Sequence, residues 1–157
     1  MTQETIKIQL NNIREYFNRS TRPLEEKHSA FAPREGTFTV ADQVAHVAQT
    51  IEWFFDSAFA GTWRMDWEEM DKEVRAVKSL TAARSWFDRA VDKAIQAAEK
   101  HTAEEWASFF PPNPIMGEAP RYAIISAIVD HTAHHRGALT VYQRLLGLTP
   151  PMPYMEM

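Results

Sequence analysis

Apolar residues recur every three or four positions in four long stretches of the chain, which is the spacing of amphipathic α-helices. The first stretch contains Ile6, Leu10, Ile13 and Phe17 on one face. The four stretches run from about Ile6 to Pro23, from an N-cap at Thr39 to Gly61, from Ser79 to about Ala98, and from about Arg121 to Leu146. No segment shows the clean alternation of a β-strand, so the pattern predicts an all-α fold.

The connections between these helices are long. Residues 62–78 are polar with two tryptophans, and we expect them to form a connection with one helical turn. Residues 102–105 resemble a capping box that opens one or two further turns. Residues 109–120 hold four of the nine prolines and are predicted to be a loop. The expected fold is a four-helix bundle spanning residues 1–157 as one domain, with long connections covering the end where a ligand enters.

Composition narrows the functional classes. A net charge of −4 and a pI near 5.9, without a basic stripe, argue against nucleic acid as a partner. There is no apolar run long enough to cross a membrane and no signal-like start, so we expect neither a membrane partner nor secretion. The chain has no cysteine, which fits the cytoplasm. Any metal must then be held by nitrogen or oxygen, and any reacting thiol must arrive with a small molecule.

Two histidines in the fourth predicted helix carry most of the chemical information. His131 and His135 stand four residues apart, which places their rings about 40° apart around the helix and roughly 6 Å apart along it. They share an inward stripe with Ile124, Ile128 and Tyr142. Burying an imidazole without a partner costs about 1–3 kcal/mol. Both rings therefore need hydrogen-bond partners or a metal ion.

A third histidine, His46, lies in the second predicted helix, at the border of its apolar face. Three neutral imidazoles around one ion leave a coordination position open, as a catalytic metal site requires. His134 is about 100° around the helix from His135 and is expected at the edge of the site. The His-Glu-x-x-His motif of metalloproteases and the Glu-x-x-His pairs of di-iron bundles are absent.

Other residues could form the surroundings of such a site. Trp53 and Tyr142 stand at core spacing, and with His134 they are the candidates for a substrate pocket. Core packing is the alternative for both aromatic residues. We expect Trp106 to lie near a loop, and the remaining histidines, His28 and His101, to be solvated.

The chain resembles the DinB/YfiT-like superfamily of four-helix-bundle metalloenzymes. The segments that carry the resemblance are Val44–Ala48, His131–Leu139 and the ending Leu146–Pro151. The resemblance extends over nearly the whole chain in helix order and spacing. One departure is Ala138, where glutamine is common in the family, so a role of that amide is not carried over to this chain, whereas the three histidines are unaffected.

The resemblance implies that His46, His131 and His135 bind one divalent metal ion, usually zinc or nickel. It also implies a homodimer formed through helix faces. Activities assigned in the family include transfer of low-molecular-weight thiols, thiol-dependent isomerisation and metal-dependent hydrolysis. No DNA chemistry is inferred.

Three hypotheses follow. The leading one is a mononuclear metal enzyme acting on a small-molecule substrate, either a thiol S-transferase or a hydrolase. The second is a non-catalytic bundle that binds a ligand or dimerises and keeps a vestigial or empty metal site. The third is wholly structural, with the histidines making ordinary buried hydrogen bonds.

Overall fold

The computed structural model describes residues 1–156, and every regular element in that range is helical. The prediction of an all-α bundle is therefore confirmed. The helices are α1 (Gln3–Thr21), α2 (Val40–Ala60), α3 (Trp67–Ala76), α4 (Leu80–Lys100), α5 (Ala103–Ala107) and α6 (Ala123–Leu145), with a short 3₁₀ turn at Glu26–His28. No helix within residues 1–156 has the length and apolar character needed to span a membrane.

The predicted helix ends are set by local hydrogen bonds. The Thr39 hydroxyl accepts from the Asp42 amide, and the Asp42 carboxylate accepts from the Thr39 amide, which is the capping box that starts α2. Gly61 ends this helix with φ of 76°, a left-handed conformation that glycine adopts without steric cost. Ser79 caps α4 by accepting from the Ala82 amide. These signals explain why both ends of α2 and the start of α4 could be predicted from the sequence.

The four long helices form a closed ring in cross-section. α1 packs against α4 and α6, and α2 packs against the same two helices. Buried residues of all four contribute to one hydrophobic core. α1 therefore lies diagonally across from α2, and the interface between α2 and α6 brings together the two helices that carry the three candidate histidines.

α2 and α4 run in the same direction. Glu52 accepts a hydrogen bond from Lys93, and further along both helices Phe59 stacks on His101 with ring centroids 3.8 Å apart. The chain leaving α2 must therefore travel back along the bundle before α4 begins. Residues 62–79 make this return.

α3 occupies most of that return, and here the sequence prediction was wrong. We expected a single turn, whereas α3 has ten residues. Met70 and Val74, four positions apart, are its buried residues. Two apolar positions are too few to stand out from the charged residues around them, so the helix depends on packing against α2.

Two further side chains pack against α2. Trp106 lies in the short helix that the capping box at residues 102–105 opens, and it is fully buried, in contact with Phe55 and Phe59 edge to face. Its position on the short α5 brings the ring against α2. His101, expected to be solvated, is half-buried because its ring stacks on Phe59.

Candidate metal centre

α2 and α6 bring the three candidate histidines together. Nε2 of His131 lies 3.2 Å from Nε2 of His46 and 3.1 Å from Nε2 of His135. One ring nitrogen from each of the three lies within 4.8 Å of the others. His135 is buried, and the other two are half-buried. The border position of His46 on α2 thus points to α6 rather than to solvent.

These distances fit the edges of a metal coordination polyhedron. Zinc–imidazole bonds of about 2.0–2.1 Å place tetrahedral ligands about 3.3–3.4 Å apart. The observed separations of 3.1 and 3.2 Å are within about 0.3 Å of that spacing. Hydrogen bonds alone account less well for the short separations between the three Nε2 atoms, because a ring nitrogen has either one N–H or one lone pair. Nε2 of His131 can therefore make one well-directed hydrogen bond, although two nitrogens face it.

A hydrogen-bonded chain behind the site fixes the tautomer of His135. The Tyr142 hydroxyl donates to the Phe38 carbonyl at 2.9 Å, so its oxygen accepts from the Gln43 side-chain amide at 3.1 Å. The amide oxygen of Gln43 then faces Nδ1 of His135. Because that oxygen can only accept, Nδ1 carries the proton, and Nε2 keeps the lone pair that binds a metal.

Burial keeps the three imidazoles neutral. The pKa of His131 is lowered to about 4 and that of His135 to about 3, in each case mainly by removal of the ring from water. Burial also lowers the pKa of His46. Neutral rings are the form that binds metal, so the site is in its ligating state at neutral pH. The donor set thus fits a divalent ion such as zinc or nickel.

A cavity of about 530 Å³ lies beside this group. His46 and His131 line it, together with Trp53 from α2. The two long connections also reach it, because Trp67 of α3 and Ile115 of the loop at 109–120 contribute to its walls. The connections therefore cover the side of the bundle where the histidines are accessible.

The three residues suggested for a substrate pocket take different positions. Trp53 lines the cavity. His134 is exposed, with its ring edge-on to that of His135 at 4.9 Å between centroids. Tyr142 is buried behind Gln43 and holds that amide in place. Asp130, the acidic residue of α6 next to His131, is exposed to solvent.

Sequence reasoning did not identify Gln43, the residue that orients His135. A signal was present: Gln43 is a polar residue on the apolar face of α2, one turn before His46. Its partners, however, are 92 and 99 residues away in the chain. Only the packing of α2 against α6 brings them together.

Comparison with known proteins agrees with this architecture. The family model described as DinB family matches residues 11–157, which is nearly the whole chain. A DinB-like protein from Bacillus cereus ATCC 10987 has a similar crystal structure, with a TM-score of 0.74 and 18% identity, over 96% of this chain and 98% of that one. A DinB-like protein from Bacillus subtilis is similar with a TM-score of 0.70 and 18% identity, over 98% and 99%. No curated protein matches the chain.

Proposed function

Because this chain belongs to the DinB family, and because three neutral imidazoles converge in it, we propose that it is a mononuclear divalent-metal enzyme. His46, His131 and His135 are the ligands, and zinc or nickel is the metal. The observation that carries the proposal is the approach of three ring nitrogens from two separate helices to within 4.8 Å of one another.

The reaction we propose is thiol S-transfer, with metal-dependent hydrolysis as the second candidate at the same site. A divalent ion bound by three uncharged ligands would retain its full charge and lower the pKa of a water or thiol that reaches it. Gln43 holds the His135 ring in position, and burial of that ring keeps water from its far side. The chain has no cysteine, so the sulfur would come from a low-molecular-weight thiol acting on a small-molecule substrate.

We also propose a homodimer that works in the cytoplasm. Ile8 of α1, Val129 of α6 and Tyr154 of the C-terminal tail are exposed around a groove of about 520 Å³. A second copy would cover this apolar surface. The cytoplasmic assignment rests on the absence of cysteine.

The ligand assignment is tested by titrating zinc and nickel into tag-free protein and measuring bound metal by elemental analysis. Wild type should bind one ion per chain. His46→Ala, His131→Ala and His135→Ala should each bind at least tenfold more weakly, since each removes one of three ligands. His134→Ala is the matched control, because this neighbouring histidine is exposed. Unchanged binding in all three ligand variants would refute the site.

Turnover separates the enzyme from the non-catalytic alternative. The metal-loaded protein is assayed with low-molecular-weight thiols plus electrophiles, and separately with esters and amides. Catalysis that disappears in His135→Ala and persists in His134→Ala supports the enzyme. A protein that binds metal and turns over nothing would be a ligand-binding or dimerising bundle. A protein that binds neither zinc nor nickel would have histidines with a purely structural role.

A further inference from the structure

The cavity beside the histidines has walls that are almost entirely apolar. His46 and His131 form part of one side. The other walls consist mainly of four aromatic rings, a methionine and an isoleucine: Phe38, Trp53, Phe54, Trp67, Met70 and Ile115. A volume of about 530 Å³ lies within the range typical of small-molecule sites. The cavity can therefore hold a compact molecule that touches the histidines at one end.

The cavity offers no free charge to such a molecule. Asp71 of α3 is the one acidic side chain among the described residues that line it. Nε of Arg75 donates to the Asp71 carboxylate at 2.8 Å, so that charge is already compensated. A ligand with a charged body would lose hydration on entering and gain no ionic partner from the walls.

A second cavity, which Trp53 also lines, includes charged side chains. Its volume is about 470 Å³, and Glu52, Asp56 and Arg64 are among its lining residues, whereas none of the three histidines reaches it. The Trp53 indole N–H donates to the Arg64 carbonyl at 2.9 Å, which anchors the ring between the two spaces. Several charged side chains thus line the second cavity, where none of the three histidines is in reach.

Two apolar side chains at the histidine-side cavity are largely exposed to water. Trp67 is 49% exposed and Ile115 is 39% exposed, and they belong to two different connections. An apolar ligand beneath them would remove this surface from water, which is favourable. A polar ligand would not give that gain.

We infer that the site selects molecules with an uncharged, apolar body, aromatic or branched aliphatic, that present one donor atom to the histidines. Trp67 and Ile115 act as specificity-determining residues that cover this body. The inference rests on the proposed function, since the donor atom is meant for a metal held by the three histidines.

Two thiols with the same donor atom test this selectivity. Cobalt-loaded protein is titrated with benzyl mercaptan and with 2-mercaptoethanesulfonate, and binding is followed by the visible cobalt spectrum. Benzyl mercaptan should bind at least about tenfold more tightly, because its ring leaves water while the sulfonate must lose hydration unpaired. Equal affinities, or tighter binding of the sulfonate, would overturn the inference.

A matched pair of variants assigns the effect to the cavity. Ile115→Asp places a charge in the wall and should weaken benzyl mercaptan binding about tenfold, with cobalt stoichiometry unchanged. Phe109→Asp should have no effect, because Phe109 is exposed in the same loop and does not line the cavity. Equal weakening in both variants would remove the role given to Ile115.

A readout without metal separates this inference from the proposed function. In metal-free protein, benzyl alcohol should shift the indole N–H resonances of Trp53 and Trp67, and hydroxyethanesulfonate should not. Normal cobalt binding by the histidines without this selectivity would defeat the inference and leave the proposed function standing. Selective indole shifts in a protein whose histidines bind no cobalt would defeat the proposed function and support an apolar ligand site.

Discussion

Nδ1 of His135 donates to the side-chain oxygen of Gln43, and this contact decides which nitrogen of the ring is free. The direction of the bond follows from Tyr142, whose hydroxyl proton goes to a backbone carbonyl and whose oxygen therefore accepts from the Gln43 amide. Histidines that bind metals in other proteins usually donate their second ring N–H to an oxygen that fixes the ring, and the Gln43 side-chain oxygen offers His135 such an acceptor.

Replacing Gln43 should therefore weaken metal binding without removing a ligand. Gln43→Leu leaves Nδ1 of His135 without an acceptor and frees the ring to change tautomer. We expect zinc affinity to fall by about 10–100-fold, the effect typical of lost outer-shell partners. Tyr142→Phe removes only the hydroxyl that holds the Gln43 side-chain amide, so it should lower zinc affinity less than Gln43→Leu does. Competition with a chromogenic chelator measures both.

The control for that prediction is another buried glutamine on the same bundle. Gln143 donates to the Ser20 carbonyl and contacts none of the three histidines. Gln143→Leu should lower the free energy of unfolding while zinc affinity stays at the wild-type value. Wild-type affinity in Gln43→Leu would show that the contact to His135 has no part in metal binding.

Acid should destabilise the metal-free protein in a range where most carboxylates are still ionised. The pKa of His131 is lowered to about 4 and that of His135 to about 3 by burial, whereas an exposed histidine titrates near 6.5. Below about pH 6.5 the unfolded chain binds more protons than the native one. The free energy of unfolding should then fall as pH falls, by up to about 1.4 kcal/mol per pH unit for each histidine.

Urea unfolding in the presence of a chelator between about pH 7 and pH 5 measures this slope. His135→Gln removes one of the titrating groups and should give a shallower slope. Equal unfolding free energies at both ends of the range would mean that these rings titrate as exposed histidines do. Saturating zinc should raise the free energy of unfolding across this range, because it binds the native protein in preference to the unfolded chain.

The buried position of Trp106 gives a stability prediction. Trp106→Ala should lower the free energy of unfolding by about 3–5 kcal/mol, because it leaves a large cavity against Phe55 and Phe59. Trp67→Ala, which truncates a half-exposed ring, should cost less than about 1 kcal/mol. Chemical denaturation compares the two. Similar losses would contradict the assignment of Trp106 to the core.

Association through the groove between α1 and α6 can be tested with a charge. Ile8→Glu places a carboxylate on the exposed apolar surface that we propose a second copy covers. Wild type should sediment as a dimer and the variant as a monomer, with unchanged helicity. Leu145→Glu serves as the control, because Leu145 is more exposed than Ile8 and does not line that groove. A monomeric wild type would end the dimer proposal.

Sequence was sufficient for features that depend on local chemistry. Thr39 and Asp42 form the capping box that starts α2, and Gly61 ends this helix. The four long apolar stripes predicted the helix bundle. The spacing of His131 and His135 predicted that they share a helix face, because residues four apart on a helix lie on the same face.

What sequence did not supply depends on contacts between distant segments. Gln43 meets His135 only when α2 packs on α6. The length of α3 follows from the parallel course of α2 and α4, which no local pattern encodes. The full burial of Trp106 follows from the packing of α5 against α2, and five residues of α5 are too short for a periodic signal that would show it.

The most direct test of the account is an anomalous difference map from crystals of the zinc- or nickel-loaded protein, recorded at the absorption edge of the metal. We expect one peak per chain, about 2.0–2.1 Å from Nε2 of His46, His131 and His135, with its remaining side open to the apolar cavity. A map with no peak among the three rings, or a peak held by other side chains, would contradict the proposed metal centre.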